Sequence, residues 1–159
     1  MVEFALVLPV LMLILMSIIQ LGFLFSAHIG VINGVREGAR YGSLSPTTAA
    51  NASANGASVE SYIRNSVLPR NVPGYSTANV TAVSVSYCSY ANPGGSSYSV
   101  RLLVQATYAH PLFIPLVGAI LDGFDGAWDS RLAIASSEQF RVENLPLNSG
   151  EVSGLIVCP

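Results

Sequence analysis

Lysine is absent from this chain of 159 residues, and all seven of its basic side chains are arginine. Charged residues make up only 10% of the sequence, against about 25% in ordinary soluble domains. With a net charge of −2 there is no basic face for a nucleic acid and little to attract acidic lipids. So few charges suit a protein whose surface is covered by copies of itself. There are two histidines, His28 and His110, and neither has a cysteine or acidic neighbour at a metal-ligand spacing. No serine sits in a Gly-x-Ser-x-Gly elbow, and GVREGARYG lacks the Lys-Ser/Thr ending of a phosphate loop. Catalytic residues and cofactors are therefore expected to be none. The three aspartates, Asp122, Asp125 and Asp129, fall together in DGFDGAWD. They form a weak calcium candidate, because the spacing is not that of an EF-hand loop and a polar turn explains it better. No other metal site is expected.

What the chain has is a long apolar start. Phe4 to Ala27 carries no ionisable side chain, and its polar members are Ser17, Gln20 and Ser26. As a helix, at ~1.5 Å per residue, this run crosses a ~30 Å hydrocarbon core with some tilt. The helical pattern continues into SAHIGVINGVREGARYG, further than an anchor needs. Small residues recur at every fourth position, Gly22, Ser26, Gly30, Gly34, Gly38 and Gly42, which on a helix forms one ridge. Each glycine costs about 1 kcal/mol of helix propensity relative to alanine, so close approach to another helix is the expected compensation. Glu3, at the edge of the apolar run, needs a cation or hydrogen-bond donors once buried, and a neighbouring chain's N-terminal ammonium fits. The plainer alternative is a signal-anchor helix with Glu3 in interfacial water. Pro9 removes one helix hydrogen bond and is expected to kink or loosen the start. Arg36, Glu37 and Arg40 form a charged turn near the helix end. Glu37 and Arg40 can pair on one face, and the turn reads either as an inter-subunit salt bridge or as a solvated helix end.

VEFALVLP (Val2 to Pro9), the aliphatic run after it and REGARY (Arg36 to Tyr41) together resemble the N-terminal helix of TadE-like pseudopilins. These form the tight-adherence branch of the type IV pilin superfamily. The resemblance covers about a quarter of the chain closely. It implies a precursor whose short basic leader is removed by a prepilin peptidase, and a mature helix used first in the inner membrane and then in filament packing. It also implies the pilus assembly machinery as a partner. In the family the glutamate lies four residues after the cleavage point, whereas Glu3 lies two after Met1. Either two residues precede Met1 or cleavage differs here. A basic leader would also reverse the orientation that Arg36 and Arg40 alone would set by the positive-inside tendency.

The remainder, residues 44–159, is long enough for a head domain of its own, beside an assembly or membrane helix over 1–43. SLSPTTAANASAN is a connector, after which Asn55 or Ser58 caps a short helix from Ala57 to about Leu68, ended by Pro69, Pro73 and Gly74. Ala78 to Tyr87 alternates as a strand with a phase slip near Ala82. Asn92-Pro93-Gly94-Gly95 is a turn, Tyr98 to Tyr108 a hairpin partner broken by His110-Pro111, and Arg131 to Val142 a third strand. Leu112 to Leu121 is apolar but too short to span a bilayer, and reads as a segment packed over the sheet or a subunit contact. Cys88 and Cys158 allow one disulfide if the chain is exported, or else are two separate buried thiols. Asn51 and Asn79 head glycosylation triplets. The fold expected is α+β, type IV pilin-like, with a long hydrophobic helix and a small antiparallel head.

The function expected is that of a structural subunit of an extracellular pilus, self-assembled as a helical homopolymer and membrane-inserted beforehand. The alternatives are a minor pseudopilin that initiates or tips another subunit's filament, and a membrane-anchored surface protein that binds a partner.

Overall fold

The computed structural model describes residues 2–114, 118–119, 123, 126 and 129–158, with the side chains of Val2, Glu3 and Ala5 outside the description. One helix, α1 (Val2–Ser43), runs for 42 residues, about 63 Å. It runs on through Pro9, the residue at which a kink or loosening is expected.

The head follows as α2 (Ala52–Tyr62), a π-helical turn at Ile63–Val67 and α3 (Leu68–Asn71), then strands β1 (Val80–Ala91), β2 (Tyr98–Pro111) and β3 (Arg131–Arg141). A one-turn helix, α4 (Ser149–Val152), and a two-residue strand, β4 (Ile156–Val157), complete it. The sheet order is β3-β2-β1-β4, antiparallel except for the short parallel pair of β1 with β4. The architecture is α+β, as expected.

The phase slip near Ala82 is a register shift between Val80 and Ala82, beyond which β1 and β2 pair without interruption to Ala91↔Tyr98. The turn between them holds Gly94 at φ 103° and Gly95 at φ 71°, conformations open to glycine at little steric cost. β2 does not break at His110-Pro111. It runs on to Pro111, which pairs with Arg131 at the last position of the ladder, where a missing N–H does least harm.

The first head helix differs most from expectation. It starts at Ala52, with Asn51 rather than Asn55 or Ser58 at the N-cap position and no side-chain bond from Asn51 to the helix N–H groups. Asn51 Oδ1 accepts from the Thr48 N–H at 2.7 Å, and Asn51 Nδ2 donates to the Pro46 carbonyl at 3.0 Å, which turns the connector into the helix. Nor does the helix end at Pro69. A proline has no N–H and its ring crowds the carbonyl four residues back. Here the preceding turn widens to π geometry, and the helix resumes with Pro69 in its first turn, running to Asn71.

The core lies between one sheet face and the helices. Val100, Leu102, Val104, Ala106, Tyr108 and His110 alternate inward along β2 and are all buried. Val83 and Tyr87 of β1 and Ile134 of β3 join them. Ala27, Val31, Val35 and Ala39 of α1 are fully buried in the same cluster, so the C-terminal part of the long helix is packed as part of the head.

Candidate assembly interface

α1 has two parts with different surroundings. From Phe4 to Phe25, sixteen large apolar side chains are exposed, among them Phe4 at 72%, Leu6 at 72% and Ile18 at 65%. Burying one such side chain is worth about 1.5–3 kcal/mol, so leaving all of them in water would forfeit on the order of 25–50 kcal/mol. That exceeds the 5–15 kcal/mol by which a domain is stable. The most apolar 18-residue window of the helix has mean hydropathy 2.5 and is only 6% buried, long and apolar enough to cross a membrane. This half of the helix is built for a bilayer or for other helices.

The other half is keyed into the head by glycine. A Cβ added at Gly30 would collide with the backbone carbonyl of Asn71; at Gly34 it would lie 2.8 Å from Leu68 Cδ2. At Gly38 it would collide with the side chain of Ile63, and at Gly42 it would lie 2.6 Å from Val59 Cγ2 and 2.5 Å from Leu102 Cδ2. Going up α1 in steps of four, the partners descend through Asn71, Leu68, Ile63 and Val59, the pattern of two antiparallel helices in close contact. The descending steps are three, five and four residues. The step of five, from Leu68 to Ile63, coincides with the π turn, whose wider winding returns a residue to the same face after five positions instead of four. Pro69, the π turn and the glycine spacing are therefore one device.

This differs from the expectation that the small-residue ridge meets a neighbouring chain. Gly30, Gly34, Gly38 and Gly42 receive the chain's own head. The reason is geometric: the α2–α3 segment folds back along α1 and takes the one face on which backbones can approach closely. Gly22 has nothing within 4 Å and Ser26 is exposed, so the two lower members of the ridge are open.

The charged turn is likewise engaged within the chain. Arg36 Nε donates to Glu138 Oε1 of β3 at 2.7 Å. Glu37 Oε1 accepts from the Tyr62 hydroxyl at 3.1 Å, instead of pairing with Arg40, and that carboxylate pushes the Tyr62 pKa up. The Tyr62 ring also stacks on Tyr41 at 4.3 Å between centroids. Arg40 is exposed and makes no ion pair among the described residues. Glu3 belongs to α1, but its side chain lies outside the description.

The remaining candidates fall elsewhere. Cys88 and Cys158 form a disulfide across a separation of 70 residues, and it fastens β4 to β1, where the Cys158 N–H also donates to the Ser89 carbonyl. Asn51 and Asn79 are half-buried with their amides engaged, Asn51 with Pro46 and Thr48 of the connector and Asn79 Nδ2 toward the Tyr108 hydroxyl at 3.5 Å. Asp122 and Asp125 lie outside the described residues. Asp129 Oδ1 accepts from the Arg131 N–H at 3.0 Å as a turn cap, and no group of three potential metal ligands exists among the described residues.

One residue gained significance only in three dimensions. Gln20, in the middle of the apolar run, is 1% exposed, and its Oε1 accepts from the Phe113 N–H at 3.1 Å. A lone amide within an apolar helix was the only sequence signal for it. His110, buried close by with its ring edge-on to Phe113, has both ring nitrogens without a partner among the described residues, and burial lowers its pKa.

Among known proteins, the model of the TadE-like protein family matches residues 1–40. Neither the curated proteins nor the solved structures give a match. The matched stretch contains VEFALVLP and most of REGARY, the same residues on which the resemblance was read. With its exposed apolar half, it points to a membrane-anchored, pilus-associated protein. Over residues 1–40 the chain is similar to the TadE-like protein family, and the likeness is confined to the N-terminal helix.

Proposed function

We propose that the chain is a structural subunit of an extracellular Tad-type pilus, assembled by packing the exposed half of α1 against the same half of neighbouring copies. The carrying observation is the division of α1: sixteen uncovered apolar side chains below, and a glycine-keyed, fully buried stripe above. A helix held rigidly by its own head presents its lower half as a stalk, and helices of this kind bury one another around a common axis. Gly22 and Ser26, the open members of the ridge, offer the closest helix approach in that stalk. Glu3 serves register, because an unpaired carboxylate buried at the wrong stagger is penalised. Before assembly the same half resides in the inner membrane, where a prepilin peptidase and the pilus machinery act on it. The role is structural and requires no cofactor.

Negative-stain electron microscopy of material sheared from cells, with N-terminal sequencing of the protein it contains, tests this reading. Filaments composed mainly of this chain are the expected result. Retention of the chain in the membrane fraction while filaments form from another protein would replace it with a minor-pseudopilin or anchor role.

A further inference from the structure

The contact of Gln20 with Phe113 fixes how far the head stands from a bilayer that α1 spans. Glu3 sets the far limit of the apolar run. Counting from Phe4, a ~30 Å hydrocarbon core needs about 20 residues, which ends the span near Phe23, and tilt lengthens the requirement. Phe4 to Ile19, the part below Gln20, supplies only about 24 Å. Gln20 therefore sits about 4–5 Å inside the hydrocarbon limit when the span is satisfied. Because its Oε1 holds the Phe113 N–H, the head segment around Phe113 is carried to the same depth.

The chemistry at that level agrees. A free amide oxygen and a free backbone N–H are each costly in hydrocarbon, and here Gln20 Oε1 and the Phe113 N–H satisfy each other through one hydrogen bond, while Gln20 Nε2 has no partner among the described residues. Phe113 is 64% exposed, and Phe23 and Phe25 at the same end of α1 are 48% and 63% exposed. Phe113 at the level of Gln20, and Phe23 and Phe25 about 4.5–7.5 Å further along α1, are uncovered apolar rings that lipid would bury. Leu112 next to Phe113 is buried, so the backbone there is anchored and the Phe113 side chain faces outward from a fixed position.

We infer that the head surface around Phe113 is a membrane-contact surface that rests in the acyl–headgroup boundary while the subunit is membrane-inserted. The inference rests on α1 spanning the bilayer. It adds that the head is partly immersed in the lipid rather than held clear of it on a stalk. Extraction into a filament then requires this surface to leave lipid together with the helix.

Tryptophan fluorescence on the full chain, reconstituted in liposomes, tests it. In a Trp128→Phe background, tryptophan is introduced separately at Phe113, at Ile14 in the exposed helix and at Leu145, which is 85% exposed beyond the C-terminal end of α1. The Phe113→Trp emission is expected to be blue-shifted and quenched more strongly by lipid brominated near the headgroup than by lipid brominated deep in the chains. Leu145→Trp stays unquenched. If Phe113→Trp behaves like Leu145→Trp while Ile14→Trp is quenched, the immersed head is refuted and the spanning helix stands. If Ile14→Trp is also unquenched, the spanning premise itself fails. Hydrogen exchange of the Phe113 amide in the unaltered chain gives an independent reading: protection is lost in Gln20→Leu if that bond holds the segment in place, and unchanged protection overturns the link.

Discussion

Replacing Gly30 with alanine sets helix propensity against packing, and the structure says packing wins. Alanine is the better helix former by about 1 kcal/mol, so on propensity alone Gly30→Ala should stabilise α1. Its Cβ, however, would fall on the carbonyl of Asn71, with the carbonyl carbon 2.8 Å away and Val72 Cα at 3.2 Å. These are backbone atoms that no rotamer change can remove, so α3 must shift away from α1. Overpacking of this kind costs about 1–3 kcal/mol. Gly22→Ala is the control on the same helix, since its Cβ meets nothing within 4 Å. The two variants should differ by about 1–3 kcal/mol, with Gly30→Ala the less stable, which for a chain of this size is roughly 2–12 °C in Tm. Thermal unfolding of the detergent-solubilised monomer, followed by circular dichroism, reads the difference. Equal melting of the two, or a Gly30→Ala variant more stable than the parent, would refute the glycine-keyed seat. In filament yield the order reverses: Gly22→Ala keeps the monomer intact but crowds the open face proposed for assembly, and fewer sheared filaments are expected.

The disulfide closes a loop of 70 residues, for which loop-closure entropy gives about 4 kcal/mol, so reduction or Cys88→Ala with Cys158→Ala should lower urea stability by about 2–4 kcal/mol. The Arg36–Glu138 pair has side-chain exposures of 60% and 28%, and a double-mutant cycle should find only about 0.2–1 kcal/mol of coupling, smaller still in high salt. His110 is neutral and buried, with its pKa lowered by desolvation. Above about pH 6.5 the ring is neutral in both folded and unfolded chains; as pH falls through that value the unfolded chain takes up a proton that the folded chain refuses. Tm should therefore drop between about pH 7.5 and about pH 5.5, and His110→Phe should flatten that part of the profile.

Much of the fold was legible because the signals are local. Alternation marks β1, β2 and β3, and even the bulge near Ala82 appears as one residue out of phase. Asn92 to Gly95 reads as a turn because two adjacent glycines supply the positive φ that it uses. The apolar run of α1 identifies itself by length. What failed depended on pairs distant in sequence. Pro69 reads as a helix end from its missing N–H alone. That the chain continues through a π turn is decided by Leu68 and Ile63 each having a glycine to fill on α1. Arg36, Glu37 and Arg40 read as a charged turn facing solvent or another subunit, with Glu37 set to pair with Arg40, because the actual partners of Arg36 and Glu37, Glu138 and Tyr62, come from other elements.

The glycine ridge shows how a correct pattern leads to the wrong partner. A four-residue spacing of small residues states that something approaches the helix closely, but not whether it belongs to the same chain. Here the answer changes along the ridge: from Gly30 upward the face is taken by α2 and α3, and at Ser26 and Gly22 it is open. The change falls between Gly30 and Ser26, about 9 Å above Gln20, where another face of α1 still meets the head through Phe113. An assembly contact through this ridge is thereby confined to its lower end, and the glycines above act only through the rigidity with which the head holds the stalk. Substitutions above that level should disturb assembly in proportion to the monomer stability they remove. Substitutions at Gly22 and Ser26 should disturb it with no loss of monomer stability. A filament-yield series plotted against monomer Tm separates the two groups, and a single line through both would mean that the ridge has no assembly face of its own.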